Sequence, residues 1–109
     1  GTIIAGVTQK RVMFRALGPS LSVNGAPIAG RLMDPVMELH DTNGGLIASN
    51  DNWKTSANAA EIQASTLAPP DDRESAILLP LGPGNYTTIV RGAGGTTGIA
   101  INEIFRLDN

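Results

Sequence analysis

The stretch VMELHDTNGGLIAS, residues 36–49, carries the clearest structural signal in the chain. Met37 and Leu39 lie two positions apart, so they share one face of an extended strand. The opposite face of that strand carries Val36, Glu38 and His40. Asn43 and Gly44 then supply a turn, because Asn-Gly adopts positive φ at low cost, and residues 46–49 return from it. The stretch therefore predicts an antiparallel β-hairpin.

Short strands separated by turn residues extend this pattern along the chain. The further predicted strands are residues 2–5, 10–17, 75–79, 86–91 and 99–107. The only helix is predicted at residues 57–64, capped by Ser56 and with Ile62 pointing inward, while residues 21–32 form a long irregular connection. This spacing predicts an all-β fold, an antiparallel β-sandwich of jelly-roll type with one short helix in a loop, and residues 1–109 form a single domain.

The predicted strands differ in burial. Residues 10–17 alternate as a half-buried strand does, whereas residues 75–79 are almost continuously apolar and are expected to be buried on both faces. The last strand has an apolar face of Ile99, Ile101, Phe105 and Leu107. Glu103 falls on that same face, so it needs a cationic partner, either Arg15 or Arg91, or a bulge that turns it outward.

Composition excludes several classes of function. The 109 residues carry a formal net charge of -2 with eight scattered basic residues, which gives no basic stripe for nucleic acid. The absence of cysteine excludes disulfides, cysteine-ligated zinc and thiol nucleophiles. The longest apolar runs are too short to cross a bilayer. The chain opens at Gly1 without an initiator Met or signal peptide, so we expect a processed product or an excised module.

Oxygen donors concentrate at the two ends of the hairpin and in the loop before residue 75. Calcium takes six to eight oxygen ligands, so these side chains are candidates for a calcium site, although their spacing matches no EF-hand. The candidates are Asp41, Asn43, Asn50, Asp51, Asn52, Asp71, Asp72 and Glu74. Turn and capping chemistry explains the same residues, since Asp and Asn bond their own backbone in turns.

Three single residues allow both a functional and a structural interpretation. Trp53, the only tryptophan, could stack against a sugar ring, or it could close the edge of a core. His40, the only histidine, is expected to be a surface residue. The alternative hypothesis places it in a Ser-His-Asp triad, which is defined by geometry and not by the presence of a histidine. Arg73 could clamp Asp51 or Asp72 and fix its loop against the sheet.

Several longer motifs resemble a module that recurs in large secreted or surface proteins of environmental bacteria. They are RALGPSL at 15–21, DPVMELHDTNGGLIASNDNW at 34–53, APPDDRESAI at 68–77 and PGNYTTIVRGAGGTTGIAINEIF at 83–105. The chain is also similar, more distantly, to the bacterial pre-peptidase C-terminal domain, a β-sandwich accessory module that is often calcium-binding. The resemblance implies an extracellular or cell-surface location.

The resembling modules carry one more strand, upstream of the position of Gly1. Its absence is expected to leave an unpaired sheet edge beside an apolar groove. An extended segment of another copy could fill that groove by strand donation, and Thr2, Ile3, Ile4 and Ala5 are apolar and β-branched enough to serve. The alternative is that Gly1 only marks the boundary of the piece.

We therefore expect a non-enzymatic extracellular structural or adhesive module, whose partners are copies of itself or neighbouring modules. The alternative is a calcium- or carbohydrate-binding accessory domain of a secreted bacterial enzyme. Ca²⁺ is the one candidate cofactor, because of the oxygen donors named above.

Overall fold

The structure, a computed structural model, describes residues 2–4 and 10–107, with side chains for 10–107. In chain order its elements are β1 (Thr2–Ile4), β2 (Lys10–Leu17), β3 (Ser22–Val23), β4 (Ala26–Pro27), β5 (Pro35–His40), β6 (Leu46–Asn50), α1 (Ala59–Ala64), β7 (Ser75–Leu81), β8 (Gly84–Gly92) and β9 (Ile101–Leu107). Short 3-10 turns lie at Trp53–Thr55 and Ala93–Gly95. No helix within this described part is long and apolar enough to cross a membrane.

Two antiparallel sheets form a sandwich, as the sequence predicts. One sheet has the strand order β1-β8-β5-β6, and the other has the order β7-β2-β9. Their facing sides enclose a core that buries Val12, Phe14, Ala16, Met37, Leu39, Ile77 and Leu81. Among the described residues the β7-β2-β9 sheet has three strands, one fewer than each sheet of an eight-stranded jelly roll.

The central hairpin forms as predicted. β5 pairs with β6 through a turn in which Gly44 has φ of 82°, and Met37 and Leu39 are both fully buried. β8 runs along the other side of β5, where Val90 pairs with Met37 and Thr88 pairs with Leu39. The face of β8 that carries Tyr86, Thr88 and Val90 therefore points toward the core.

A third layer, made of the chain between β6 and β7, covers the outer face of the three-stranded sheet. Trp53 and Ile62 from this layer pack on Met13, Ala76 and Leu78. As a result β2 is buried on both faces, and the prediction that it is half-buried was wrong. Period-two alternation cannot show this, because it does not reveal that a loop returns over the polar side of a strand.

Three further boundaries differ from the sequence predictions. Helix α1 begins at Ala59, with Asn58 and not Ser56 at its N-cap position. The predicted irregular connection at 21–32 contains the short β3–β4 hairpin. Finally, β9 begins at Ile101 and not at residue 99. Ile101 is 46% exposed, and the apolar face of the strand is partly buried only towards its end, at Phe105 and Leu107.

Candidate functional site

The outer edge of β9 is an open edge of the three-stranded sheet. β2 pairs with β9 on one side, and no residue within 10–107 pairs with the other side. The second edge of the same sheet, β7, is covered by side chains. Ala76 N–H donates to Asn50 Oδ1 at 3.0 Å, and Asn58 Nδ2 donates to the carbonyl of Leu78 at 2.9 Å. Within this sheet, the edge that is left free for another strand is therefore that of β9.

Isoleucines border this edge on both faces of the sheet. Ile104 points toward the four-stranded sheet and is 43% exposed, whereas Ile101 points the other way and is 46% exposed. Nearby, the amide of Asn102 donates to the hydroxyl of Thr88, across the mouth of the sandwich. An added strand beside β9 would thus gain backbone hydrogen bonds and bury apolar surface from both sides.

The proposed donor segment lies in the other sheet. Thr2, Ile3 and Ile4 form β1, which pairs with β8 of the same chain in three register positions, Thr2 with Tyr86, Ile3 with Asn85 and Ile4 with Gly84. Ala5 lies outside the described residues. β2 and β7, by comparison, pair in seven positions. Few backbone pairs therefore hold β1 in place.

Glu103 on β9 forms an ion pair with Arg15. Arg15, its cross-strand neighbour, donates from Nε to Glu103 Oε1 at 2.8 Å. The same guanidinium donates to the carbonyl of Leu67 at 3.0 Å and lies 4.9 Å from the centre of the Phe105 ring. The predicted ion pair with Arg15 is confirmed, and this cluster ties β9 to the third layer.

Two of the calcium candidates, Asp41 and Asn50, form hydrogen bonds with nearby backbone groups. Asp41 Oδ1 accepts the backbone N–H of Asn43 at 2.9 Å and that of Gly45 at 2.8 Å. Asn50 bonds Ala76 through its amide oxygen, and it donates to the carbonyl of Asn52 at 3.2 Å. These polar groups already serve the turns and strand edges around them.

Glu74 is the most unexpected of the candidates. It is fully buried, and its carboxylate accepts the N–H of Gly18 at 2.8 Å, the N–H of Ser20 at 3.0 Å and the N–H of Asp71 at 3.0 Å. The Ser20 hydroxyl donates to it as well, at 2.6 Å. Glu74 thus joins two loops that are more than fifty residues apart, and no sequence pattern indicated this role.

Two of the remaining acidic candidates, Asp71 and Asp72, form separate ion pairs. Arg73 binds both oxygens of Asp71 at 3.0 Å, which lowers the pKa of Asp71, so the predicted clamp on Asp51 or Asp72 was wrong. Asp72 pairs instead with Lys54 at 2.9 Å.

Asp51 lies beside Asp34, a neighbour that the sequence did not suggest. Partial desolvation and the adjacent Asp34 carboxyl raise the pKa of Asp51. One oxygen of Asp34 is buried without a hydrogen-bond partner. Within residues 10–107, no three Asp, Glu, His or Cys side chains come together in a way that could hold a metal ion. Calcium binding that also uses the asparagines stays a prediction.

Trp53 belongs to the core of the third layer. It is 5% exposed and packs with Met13 and Ile62, while Lys54 Nζ lies 5.6 Å from the ring centre. Sugar stacking needs an open ring face. The packing thus favours the structural interpretation, in which Trp53 closes the edge of a core.

His40 lies on the outer face of the four-stranded sheet between two acceptors. Its Nε2 is 2.9 Å from Glu38 Oε1, and its Nδ1 is 3.1 Å from the carbonyl oxygen of Gly44. Arg91 contacts the second oxygen of Glu38. Only the doubly protonated ring donates to both acceptors, so the Glu38 contact, followed by the Gly44 contact, raises the pKa of His40. The pKa of Glu38 is lowered by the hydrogen bonds from His40 and Arg91.

The contact between His40 and Glu38 predicts that the stability of the β5–β6 hairpin depends on pH. Because the pKa of His40 is higher in the folded chain, its stabilisation is complete below the unfolded pKa and is lost as the pH rises through the folded pKa. We expect the melting temperatures of the wild type and of His40→Ala to converge as the pH rises from about 5 to about 8. A difference that stays constant over this range would contradict the contact. The other charged groups nearby are Arg91, which contacts Glu38, and Asp41.

Comparisons of the chain with protein-family models, with curated proteins and with solved structures give no match. The resemblance to a secreted bacterial module therefore stays a prediction from the motifs.

Proposed function

We propose that this chain is a non-enzymatic structural module of an extracellular bacterial assembly, and that copies join by strand donation. The observation that carries the proposal is the open edge of β9, with Ile101 and Ile104 exposed beside it. Long, apolar, unpaired edges invite pairing with another chain. The donor is residues 2–5 of a second copy, which leave β8 and pair with β9 of the neighbour.

The strand directions make such an assembly polar. All strand pairs in both sheets are antiparallel. A donor that pairs with β9 in the same way therefore has its residue 2 near Leu107 and its residue 5 near Ile101. The donor then continues into its own Lys10, which lies at the Leu107 end of its own module, because the adjacent Arg11 pairs with Leu107. The Ile101 end of one copy therefore faces the Leu107 end of the next.

The connection between the donor segment and Lys10 of the same copy is short. Five residue steps separate Ala5 from Lys10, and an extended chain covers at most about 17 Å over that length. Neighbouring modules therefore touch end to end, and the repeated step produces an open fibre.

A reversible disulfide tests the donation. The chain has no cysteine, and Ile3 and Asn85 are register partners on β1 and β8. In the double variant Ile3→Cys, Asn85→Cys, oxidation locks β1 to its own β8, since antiparallel pairing brings the two Cα atoms within disulfide range. We expect light scattering and negative-stain microscopy to show fibres for the reduced variant and monomers for the oxidised one. Asn85→Cys alone serves as the control.

A second pair of variants tests the acceptor edge. Ile104→Lys places a charge beside β9 and should shorten or abolish the fibres. Ile89→Lys is the matched control, because Ile89 is 44% exposed on the outer face of the other sheet. A wild type that stays monomeric at every concentration, or a locked variant that still forms fibres, would refute strand donation.

A further inference from the structure

The chain contains two Asn-Gly dipeptides, and the fold treats them differently. Asn24-Gly25 connects β3 to β4, with φ of 54° and 81°, and Asn43-Gly44 connects β5 to β6, with φ of 82° at Gly44. Asn-Gly is the dipeptide most prone to spontaneous deamidation, because glycine leaves the following amide nitrogen unhindered.

We propose that Asn24 is a site of spontaneous modification to aspartate and isoaspartate, and that Asn43 is protected. In the reaction the backbone nitrogen of Gly25 loses its proton and attacks Cγ of Asn24. The new N–Cγ bond closes a succinimide, the Cγ–Nδ2 bond breaks, and ammonia leaves. Water then opens the ring at either carbonyl, so nothing is oxidised or reduced.

Hydrogen bonds protect Asn43 from this reaction. The attacking nitrogen would be that of Gly44, whose N–H donates to the carbonyl of Asp41 at 3.0 Å. The Asp41 carboxylate holds the N–H groups of Asn43 and Gly45 on either side, at 2.9 and 2.8 Å. Deprotonating and moving the Gly44 amide therefore breaks an ordered turn.

The β3–β4 hairpin gives Asn24 no such protection. Its strands have two residues each, and all six residues of 22–27 are exposed. In the part of the chain that the structure describes, no acceptor is bonded to the amide of Gly25. Such a short hairpin is marginal in water, so it opens locally at low cost and reaches the geometry that the attack requires.

The modification should leave the sandwich intact. Each event replaces a neutral amide with a carboxylate, so the formal net charge changes from -2 to -3. The isoaspartate product adds one methylene to the backbone and disrupts the two-residue turn. Because residues 22–27 bury no core side chain, we expect an unchanged melting temperature.

Incubation of the folded protein in warm, mildly alkaline buffer tests the proposal. We expect ion-exchange chromatography to show a more acidic species, and peptide mapping to find isoaspartate at residue 24 several-fold faster than at residue 43. In concentrated urea the two rates should become similar. Asp41→Ala should raise the rate at Asn43, and Asn24→Gln should remove the acidic species. Equal rates in the folded wild type, or a faster rate at Asn43, would overturn the proposal.

Discussion

Glu74→Ala should lower the free energy of unfolding by about 3–5 kcal/mol, because one buried and two partly buried N–H groups lose their acceptor together. The N–H groups of Gly18, Ser20 and Asp71 all donate to this one carboxylate. Among the described residues none of these three N–H groups has a second acceptor, and Glu74 itself is fully buried. Urea denaturation followed by circular dichroism measures the loss.

Glu61→Ala is the matched control for that measurement. Glu61 is about half exposed and pairs with Arg11 at 3.5 Å, so its removal should cost less than about 1 kcal/mol. Glu74→Gln should fall between the two, since an amide keeps one acceptor oxygen but turns an NH₂ group toward N–H donors. If Glu74→Ala were no worse than Glu61→Ala, the carboxylate would not be holding the two loops together.

Gly18→Ala is expected to destabilise the fold by about 3 kcal/mol, the upper end of the usual cost of overpacking. A methyl group on residue 18 would overlap the backbone carbonyl of Leu32. The backbone of Gly18 cannot move away easily, because its N–H binds Glu74 and its carbonyl accepts the N–H of Leu21 at 3.0 Å. Thermal melting and urea denaturation report the change.

The chain supplies its own control in a second Gly-Pro dipeptide. Gly82 precedes Pro83 as Gly18 precedes Pro19, yet no atom lies within 4 Å of a methyl group built on Gly82. Gly82→Ala should therefore change the stability by no more than about 0.5 kcal/mol. Similar effects of the two substitutions would show that the close approach of Leu32 is not the cause.

Local pattern predicted the strands well because each signal lies within a few residues. The alternation of Met37 and Leu39 and the Asn43-Gly44 turn determine the central hairpin without help from distant parts of the chain. Candidate site residues were harder to interpret. Asp41 and Glu74 are both acidic residues in loops, but one caps its own turn and the other is a buried acceptor for a distant loop.

The open edge shows the same division. The resemblance to bacterial modules led us to expect an unpaired sheet edge without locating it, and the sheet order leaves one side of β9 unpaired within residues 10–107. The other edge of that sheet is covered by Asn50 and Asn58, which look like ordinary turn residues in the sequence. Their role depends on a loop returning to β7, a contact that no local pattern records.

The sequence by itself determined the two-sheet architecture, the hairpin and the inward face of β5, since side-chain period and turn chemistry act over short distances. Tertiary structure alone decided which of two Gly-Pro and which of two Asn-Gly dipeptides is constrained. It also decided that β2 is buried on both faces and that Glu74 joins two loops. These properties depend on which distant atoms come within contact range, and identical dipeptides carry no information about that.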